Sequence, residues 1–571
     1  MITSSPVYAH AEISAPSGMV VAQHLLAAQI GTEVLQHGGN AVDAAVTTAF
    51  ATGVLLPIWN GVGGGGVMIV HLDGGGGGSI DFGMQAPGLA HAEMFELETG
   101  PGALDIQGPS RRFSWPKVKD NANTQGYTSI SIPGTVAGLT TALENWGTID
   151  LDQAIAPAIK IAREGFPLSR TVALAMAAGH ALLSRFKTTG DLYLNDGSPY
   201  GPGAHFVQKE HAETLERLAR NGASEMYGGE TSARIADDIE KNGGYLRLSD
   251  FERYRPIVRE NGLNGRFRGL ELSGVGGPCG GPTALEILHI LDRFDLAGMG
   301  HGSVDFLHTL IEAVKLAAVD RFSFMGDPAI YGFPIDSLAD PDYVKSRAAT
   351  IDMSTATEFS TGDPWPFAGA DRPANFPAPA GSAPDDGTTH ITTADKHGNM
   401  VALTQTNVGY SGVVNPGVGV MMNNAMSWSA PVPGTVNSIA PLARALNNMT
   451  PMIIHNSGRA VLAIGGSGGR RIWAAVVQVI VNHVDFGMSL QQAIEQPRFH
   501  VESDDPVIDP RFGDDVLLEL KRRGHNYGLP PEESVLWPFA EPNGITHSDE
   551  SINGWKSGLS PFAKPARAVG Y

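Results

Sequence analysis

The chain changes character at one point. Residues 354–387 carry Pro364, Pro366, Pro373, Pro377, Pro379 and Pro384 among many Gly, Ala and Asp, and no helical or strand period survives there. Thr388 then opens a stretch of strand pattern, so Asp385-Asp386-Gly387-Thr388-Thr389-His390 is a junction between a structureless segment and a β-rich one. A segment that long without periodicity is uncommon inside a compact protein and is often functional. It reads as a mobile linker, and Gly387-Thr388 reads as a seam where the chain cuts itself. The cut would make Thr388 an N-terminal threonine, with a hydroxyl nucleophile and its own α-amine as base. Gly-Thr-Thr before a strand also suits a plain strand start, because Thr favours pleated backbone.

The remaining pattern is mixed. Leu25, Leu26, Ile30, Val34 and Leu35 recur at helical spacing over 24–37, and Gly38-Gly39 stops that helix. Asn40 caps a second helix over 41–54, apolar nearly all round and therefore expected to be buried. Residues 67–72 and 79–82 read as a hairpin; 151–186, 211–220, 286–291 and 304–321 read as helical. Past the junction, strands over 388–394 and 400–406 flank the turn Asp395-Lys396-His397-Gly398. A four-residue turn places Thr388 opposite Gln405, with Thr406 one position away and within reach of a small bulge. A second hairpin, 452–455 with 459–464, leads into Gly465-Gly466-Ser467-Gly468-Gly469 and a helix over 472–483, and Ser489-Leu490-Gln491-Gln492 is a capping-box start.

Composition removes several functions. A net charge of -20 argues against nucleic acid and anionic membrane surfaces as partners, since both demand Lys/Arg patches. Cys279 is the only cysteine, which excludes an intrachain disulfide and a Cys-based metal site, and it reads as a packed residue rather than a nucleophile. The start, Met1 to Pro6, has no basic n-region or apolar h-region and no run is long enough to span a membrane, so a cytoplasmic location is expected. There is no H-E-x-x-H, no EF-hand loop and no His cluster, so neither metal nor cofactor is expected. No G-x-S-x-G elbow is present for a Ser/His/Asp triad. The glycine clusters 61–66 and 74–78 read as turns and close-packing sites, and 276–282 as a loop leading into a helix. The loop Gly465–Gly469 lies between strand and helix, where free N–H groups converge. It suits either phosphate, without a P-loop pattern, or an oxyanion hole made by Gly468 and Gly469.

These pieces in this order resemble the γ-glutamyltranspeptidase family of N-terminal nucleophile hydrolases. The resemblance rests on Gly38-Gly39-Asn40-Ala41-Val42-Asp43-Ala44-Ala45, Gly63 to Gly66, Asp81-Phe82, residues 132–138, Thr388-Thr389-His390, residues 395–399, Asn423-Asn424, Met449-Thr450-Pro451, Gly468-Gly469, Pro497-Arg498-Phe499-His500 and Gly570-Tyr571. It implies an α+β fold, a four-layer αββα sandwich, cut before Thr388 into a large chain 1–387 and a small chain 388–571. The two stay together as a heterodimer, alone or dimerised further. It assigns Thr388 as nucleophile, Thr406 as the second threonine that bonds it, and Gly468-Gly469 as the oxyanion pair.

The departures fall in the acyl pocket. Gly83 stands where the family's carboxylate-binding arginine is expected, Trp428 where its amine-binding aspartate is expected, and Asn447-Asn448 where a serine pair is expected. Asn407 matches the glutamyl-contacting asparagine, one position out of register. A desolvated arginine–carboxylate contact is worth about 2–5 kcal/mol by truncation, so losing it changes the substrate. The implied activity is a self-processing amidohydrolase with an altered acyl pocket. It would act on a small amide, as the similar oxamate amidohydrolases do, or on an acyl side chain, as cephalosporin and glutaryl acylases do. Arg444, Arg470 and Arg471 offer partners for a substrate carboxylate, against a competing role in surface charge or helix-end packing. The alternatives are a γ-glutamyl hydrolase or transferase acting on glutathione-like substrates, and a non-catalytic protein of the same fold.

Overall fold

The structure, a computed structural model, describes residues 11–100, 113–379, 387–530, 539–547, 554–561 and 566–571. The start of the chain and the last part of the expected linker, with Pro384, Asp385 and Asp386, lie outside the described residues.

Among the described residues, fourteen strands build two antiparallel sheets. In chain order they are β1 (Ser14–Ala15), β2 (Met19–Ala22), β3 (Gly65–His71), β4 (Gly77–Phe82), β5 (Ile257–Arg259), β6 (Leu263–Phe267), β7 (Leu270–Gly274), β8 (Thr389–Ala394), β9 (Met400–Thr406), β10 (Met452–Asn456), β11 (Arg459–Ser467), β12 (Glu541–His547), β13 (Trp555–Leu559) and β14 (Arg567–Gly570). One seven-stranded sheet runs β14-β2-β8-β9-β3-β4-β5, the other β1-β13-β12-β11-β10-β7-β6. Each sheet mixes strands from both sides of residue 387.

Strand alternation explains the layering, because successive side chains leave opposite faces. Ile391, Val401 and Leu403 of the first sheet pack with helices α1 (Leu25–Gln36), α2 (Ala41–Leu55), α3 (Thr135–Trp146), α4 (Leu151–Glu164) and α5 (Lys209–Asn221). Ala394, Met400 and Ala402, from the other face, meet Ile453, Ala463 and Ile545 of the second sheet. The outer face of that sheet, with Leu272, Ile454 and Leu462, packs with α6 (Gly280–Leu291), α7 (Val304–Phe324) and α8 (Ile472–Phe486). Three apolar layers separated by two sheets make the expected αββα sandwich. All fifteen residues of α2 are buried, as its apolar circumference requires, and Asn40 with Asp43 closes its capping box.

Three expectations are corrected. The turn between β8 and β9 has five residues, 395–399, because the Asp395 carboxylate collects the N–H groups of His397 and Asn399 and the Asn399 side-chain amide. The pairing is therefore Thr389 with Gln405, not Thr388 with Gln405. β11 runs on through Gly465, Gly466 and Ser467, paired with Asn543, Pro542 and Glu541, so only Gly468-Gly469 forms the turn. The glycines give close approach: the His390 ring occupies the space a Cβ at Gly465 would need.

The third correction concerns the linker. Its described part is anchored, not mobile. Thr357 donates its N–H to Glu312 (2.8 Å) and accepts from Lys315 Nζ (2.7 Å), and Gly362 N–H reaches Asp320 (3.1 Å). Ala378 exchanges backbone hydrogen bonds with Gly434 and Val436, while Phe359 and Trp365 are buried. Glu312, Lys315 and Asp320 all come from α7. Asp320 also receives Tyr343 Oη (2.6 Å) and the Arg347 guanidinium (2.8 and 3.0 Å). Burial, with Asp320 beside it, pushes the Glu286 carboxyl well above its usual range and keeps it protonated.

Asp320→Ala would leave Arg347 buried without its carboxylate. The expected loss is about 3–5 kcal/mol, read as a lower urea midpoint, together with faster proteolysis within 354–379.

Candidate active site

The chain first places two threonines together. The register of β8 with β9, continued by one residue, sets Thr388 beside Thr406 without a bulge. Both belong to the face that looks between the sheets, with His390, Thr392, Ala402 and Thr404. Thr406 Oγ1 accepts the Val408 N–H at 2.7 Å and donates its proton to the carbonyl oxygen of Gly387 at 2.6 Å. The second threonine thus holds the carbonyl of the bond expected to break. Val408 pays for this tight turn with a left-handed φ of 69°, unusual for a β-branched residue and the kind of strain that gathers at functional sites. No sequence signal marked it.

The glycines around Thr406 supply close approach rather than turns alone. A Cβ at Gly64 would overlap the Thr406 carbonyl, and one at Gly65 would sit 2.7 Å from the Phe82 carbonyl. Gly65 and Gly66 are strand residues paired with Thr406 and Gln405.

His390, two residues past Thr388 on the same face, is fully buried. Its Nδ1 lies 2.8 Å from Thr404 Oγ1 and its Nε2 3.2 Å from Thr392 Oγ1. Burial pushes its pKa down to about 3. The ring rests on Gly465, so β11 crosses this face of the sheet. Gly468 and Gly469 follow at the end of that strand with φ of 126° and 59°, which L side chains adopt rarely. Among the described residues neither glycine N–H has a hydrogen-bond acceptor, while Arg471 braces the turn by donating from its N–H and Nε to the Gly468 carbonyl (3.4 and 3.2 Å).

The expected pocket residues are spread more widely. Gly83 lies three strand spacings from β8, about 14 Å along the sheet. Its N–H bonds Asp81 at 2.8 Å and its carbonyl accepts from Tyr254 Oη at 2.9 Å. Arg444 comes to the same place: its residue pairs with Gln85, its Nε stands 3.7 Å from Asp81, and its guanidinium lies over the Tyr254 ring. Arg470 pairs with buried Glu502 at 3.6 Å. Asn407 directs its amide to Pro57 (3.3 Å), and its Oδ1 is buried without a partner. Asn447 bonds Pro278 and Met449, and Asn448 accepts from buried Arg321. Trp428 packs between the sheets, its carbonyl held by Asn437. Thr388, Thr406 and Gly387 are therefore together; Asn447 and Asn448 are engaged as internal braces.

A cavity of about 900 Å³ opens elsewhere, around His71, Asn264, Ser273 and His455. His71 pairs with Met400 at the far end of β9, about 20 Å from Thr406. Its volume does not make it the site of the threonine chemistry. Among the described residues no group of three His, Cys, Asp or Glu is placed to hold a metal. Cys279 is buried, which pushes its thiol up to about 12.

Residues 27–557 match the gamma-glutamyltranspeptidase family. The chain is 34% identical over 567 residues to the glutathione hydrolase proenzyme of Bacillus subtilis (strain 168), covering 97% of this chain and 91% of that protein. It is 35% identical over 511 residues to the acylase ACY 1 proenzyme of Pseudomonas sp. (strain V22), covering 89% and 87%. The crystal structure of cephalosporin acylase from Bacillus halodurans superposes with a TM-score of 0.84 at 26% identity, over 100% of this chain and 99% of that one. The chain belongs to the γ-glutamyltranspeptidase family and is an enzyme acting on C–N bonds.

Two outcomes follow from this geometry. Thr406→Val keeps the shape but removes the proton held on the Gly387 carbonyl; splitting into two chains is expected to slow about a hundredfold by denaturing electrophoresis over time, and Thr406→Ser to retain most of the rate. His390 stays neutral when folded but takes a proton near pH 6.5 when unfolded, so its contribution is lost as pH falls from about 6.5 toward 3. At pH 5 that group alone is expected to cost about 2 kcal/mol, seen as a urea midpoint lower than at pH 7.

Proposed function

We propose that this protein is a self-processing N-terminal threonine amidohydrolase whose acyl pocket departs from γ-glutamyl specificity. The observation that carries the reading is the Thr406 hydroxyl on the Gly387 carbonyl, next to Thr388. In the uncut chain, Thr388 Oγ1 attacks that carbonyl carbon, the C–N bond breaks, and the hydroxyl proton ends on the departing nitrogen. The product is an ester on Thr388 and a free α-amine. Water adds to the ester carbonyl, the C–O bond breaks, and Gly387 leaves as a carboxylate, its proton passing to solvent. The freed amine then serves as base when Thr388 attacks a substrate amide, and it returns the proton to the leaving amine. The Gly468 and Gly469 N–H groups are the candidate donors for the oxyanion. Water or an amine releases the acyl group.

The pocket argues for a small amide or an acyl side chain. Gly83 brings no charge to its position, and buried Trp428 brings an apolar wall where an ammonium would need a carboxylate. A second reading, a γ-glutamyl enzyme with a rearranged clamp, is favoured by one observation: Arg444 lies beside Gly83, buried, with its Nε unsatisfied and held charged by Asp81. Both sheets draw strands from both sides of residue 387, which supports products that remain associated.

Thr388→Ala is expected to stay a single chain by intact mass and to lose about 10³-fold or more in kcat/KM. Glutaryl-p-nitroanilide and γ-glutamyl-p-nitroanilide, offered to the processed enzyme, separate the two readings. Faster release from the glutaryl donor supports the first, and efficient use of the γ-glutamyl donor moves the assignment to the second. A Thr388→Ala chain that still splits removes Thr388 from its role.

A further inference from the structure

The residue before the proposed nucleophile sits against an aromatic ring. The indole of Trp59 lies against Gly387, so that a Cβ built there would overlap Trp59 Cδ1 and fall 2.6 Å from Nε1 and 3.1 Å from Cγ. The three atoms nearest to such a Cβ all belong to that ring. The backbone that carries the ring is tied on both sides. The Trp59 carbonyl accepts the Asn407 N–H at 2.9 Å, and its own N–H bonds the Leu56 carbonyl at 3.0 Å. Asn407 follows Thr406 directly, so the strand that supplies the second threonine also ties down that backbone.

We infer that Trp59 decides which residue can stand on the acyl side of the self-cleaved bond, and that it admits only glycine. The inference rests on the self-processing reading and adds a specificity residue to it. The physical link is the Thr406 hydrogen bond. A larger residue at 387 that escapes the indole by moving the carbonyl stretches or breaks its 2.6 Å contact with Thr406 Oγ1. Attack by Thr388 Oγ1 then meets a carbonyl that is neither polarised nor in line. Trp59 touches no reacting atom in this scheme, so it is a positioning residue and its partner is the missing side chain of Gly387. The same geometry applies to the ester that forms on Thr388, because the carbon next to its carbonyl is the Gly387 Cα.

The test uses the full-length protein and follows splitting by intact mass under denaturing conditions. Gly387→Ala is expected to split about ten- to a hundredfold more slowly than the unaltered chain. Gly387→Ala combined with Trp59→Ala is expected to regain most of the rate, which a purely structural role for Trp59 would not produce. Where Trp59→Ala lowers the thermal midpoint, Trp59→Leu keeps apolar bulk without the indole edge and gives the same comparison. A Gly387→Ala chain that splits as fast as the unaltered one, or faster, overturns the inference, as does a double variant no faster than Gly387→Ala. An unaltered chain that never splits instead removes the self-processing reading on which the inference rests.

Discussion

The register of one hairpin governs the chemistry available to this chain. Asp395 sets it, by gathering the turn's donors and also the Ala41 N–H, a free donor at the start of α2. One carboxylate thereby ties the turn to the helix layer and counts the residues between β8 and β9. A slip of one position would send the Thr388 side chain toward α2 and leave the Thr406 hydroxyl with nothing to hold. The glycines opposite β9 enforce the same register from the other side, since side chains at 64, 65 or 66 would collide with Thr406, Phe82 or Thr404.

Around this hairpin the protein manages buried charge in two ways. On the side of α7, Asp320 is neutralised by Arg347, Glu286 stays protonated, and the surplus hydrogen-bonding capacity is spent on ordering residues 357–362. On the side of Gly83, Asp81 and Arg444 face each other with contacts less complete than those of the Asp320 cluster. An arginine held near a carboxylate at 3.7 Å, with an unsatisfied Nε, retains attraction for a further anion. The surroundings of Gly83 are therefore polarised even though the expected arginine position holds glycine.

Much of the architecture was legible because it follows local rules. The helices at Leu25, Ala41, Val304 and Ile472 obey apolar spacing, and Asn40 and Ser489 cap as their positions require. The pairing of Thr388 with Thr406 was legible only to within one residue, because the turn length depends on Asp395 side-chain bonds that no periodicity records. The anchored stretch 354–379 was misread for a related reason. Its partners, Glu312, Asp320 and Gly434, lie dozens of residues away, and a segment rich in Pro and Gly carries no local sign of them. Trp59 left one trace, a lone indole in the loop before the glycine run, but nothing in that loop names Gly387 as its neighbour.

The interleaving of the two sheets bears on the order of events in the life of the molecule. β8 lies between β2 and β9, β14 closes against β2, and β13 pairs with β1, so strands before and after residue 387 are mutual neighbours throughout. Neither part has a finished sheet of its own. The arrangement of Gly387, Thr388 and Thr406 exists only once both are in place, which in the proposed self-processing makes the folded precursor the reagent and the assembled fold the clock. A chain severed at that bond before folding would face a bimolecular search for partners that the intact chain already holds at high effective concentration.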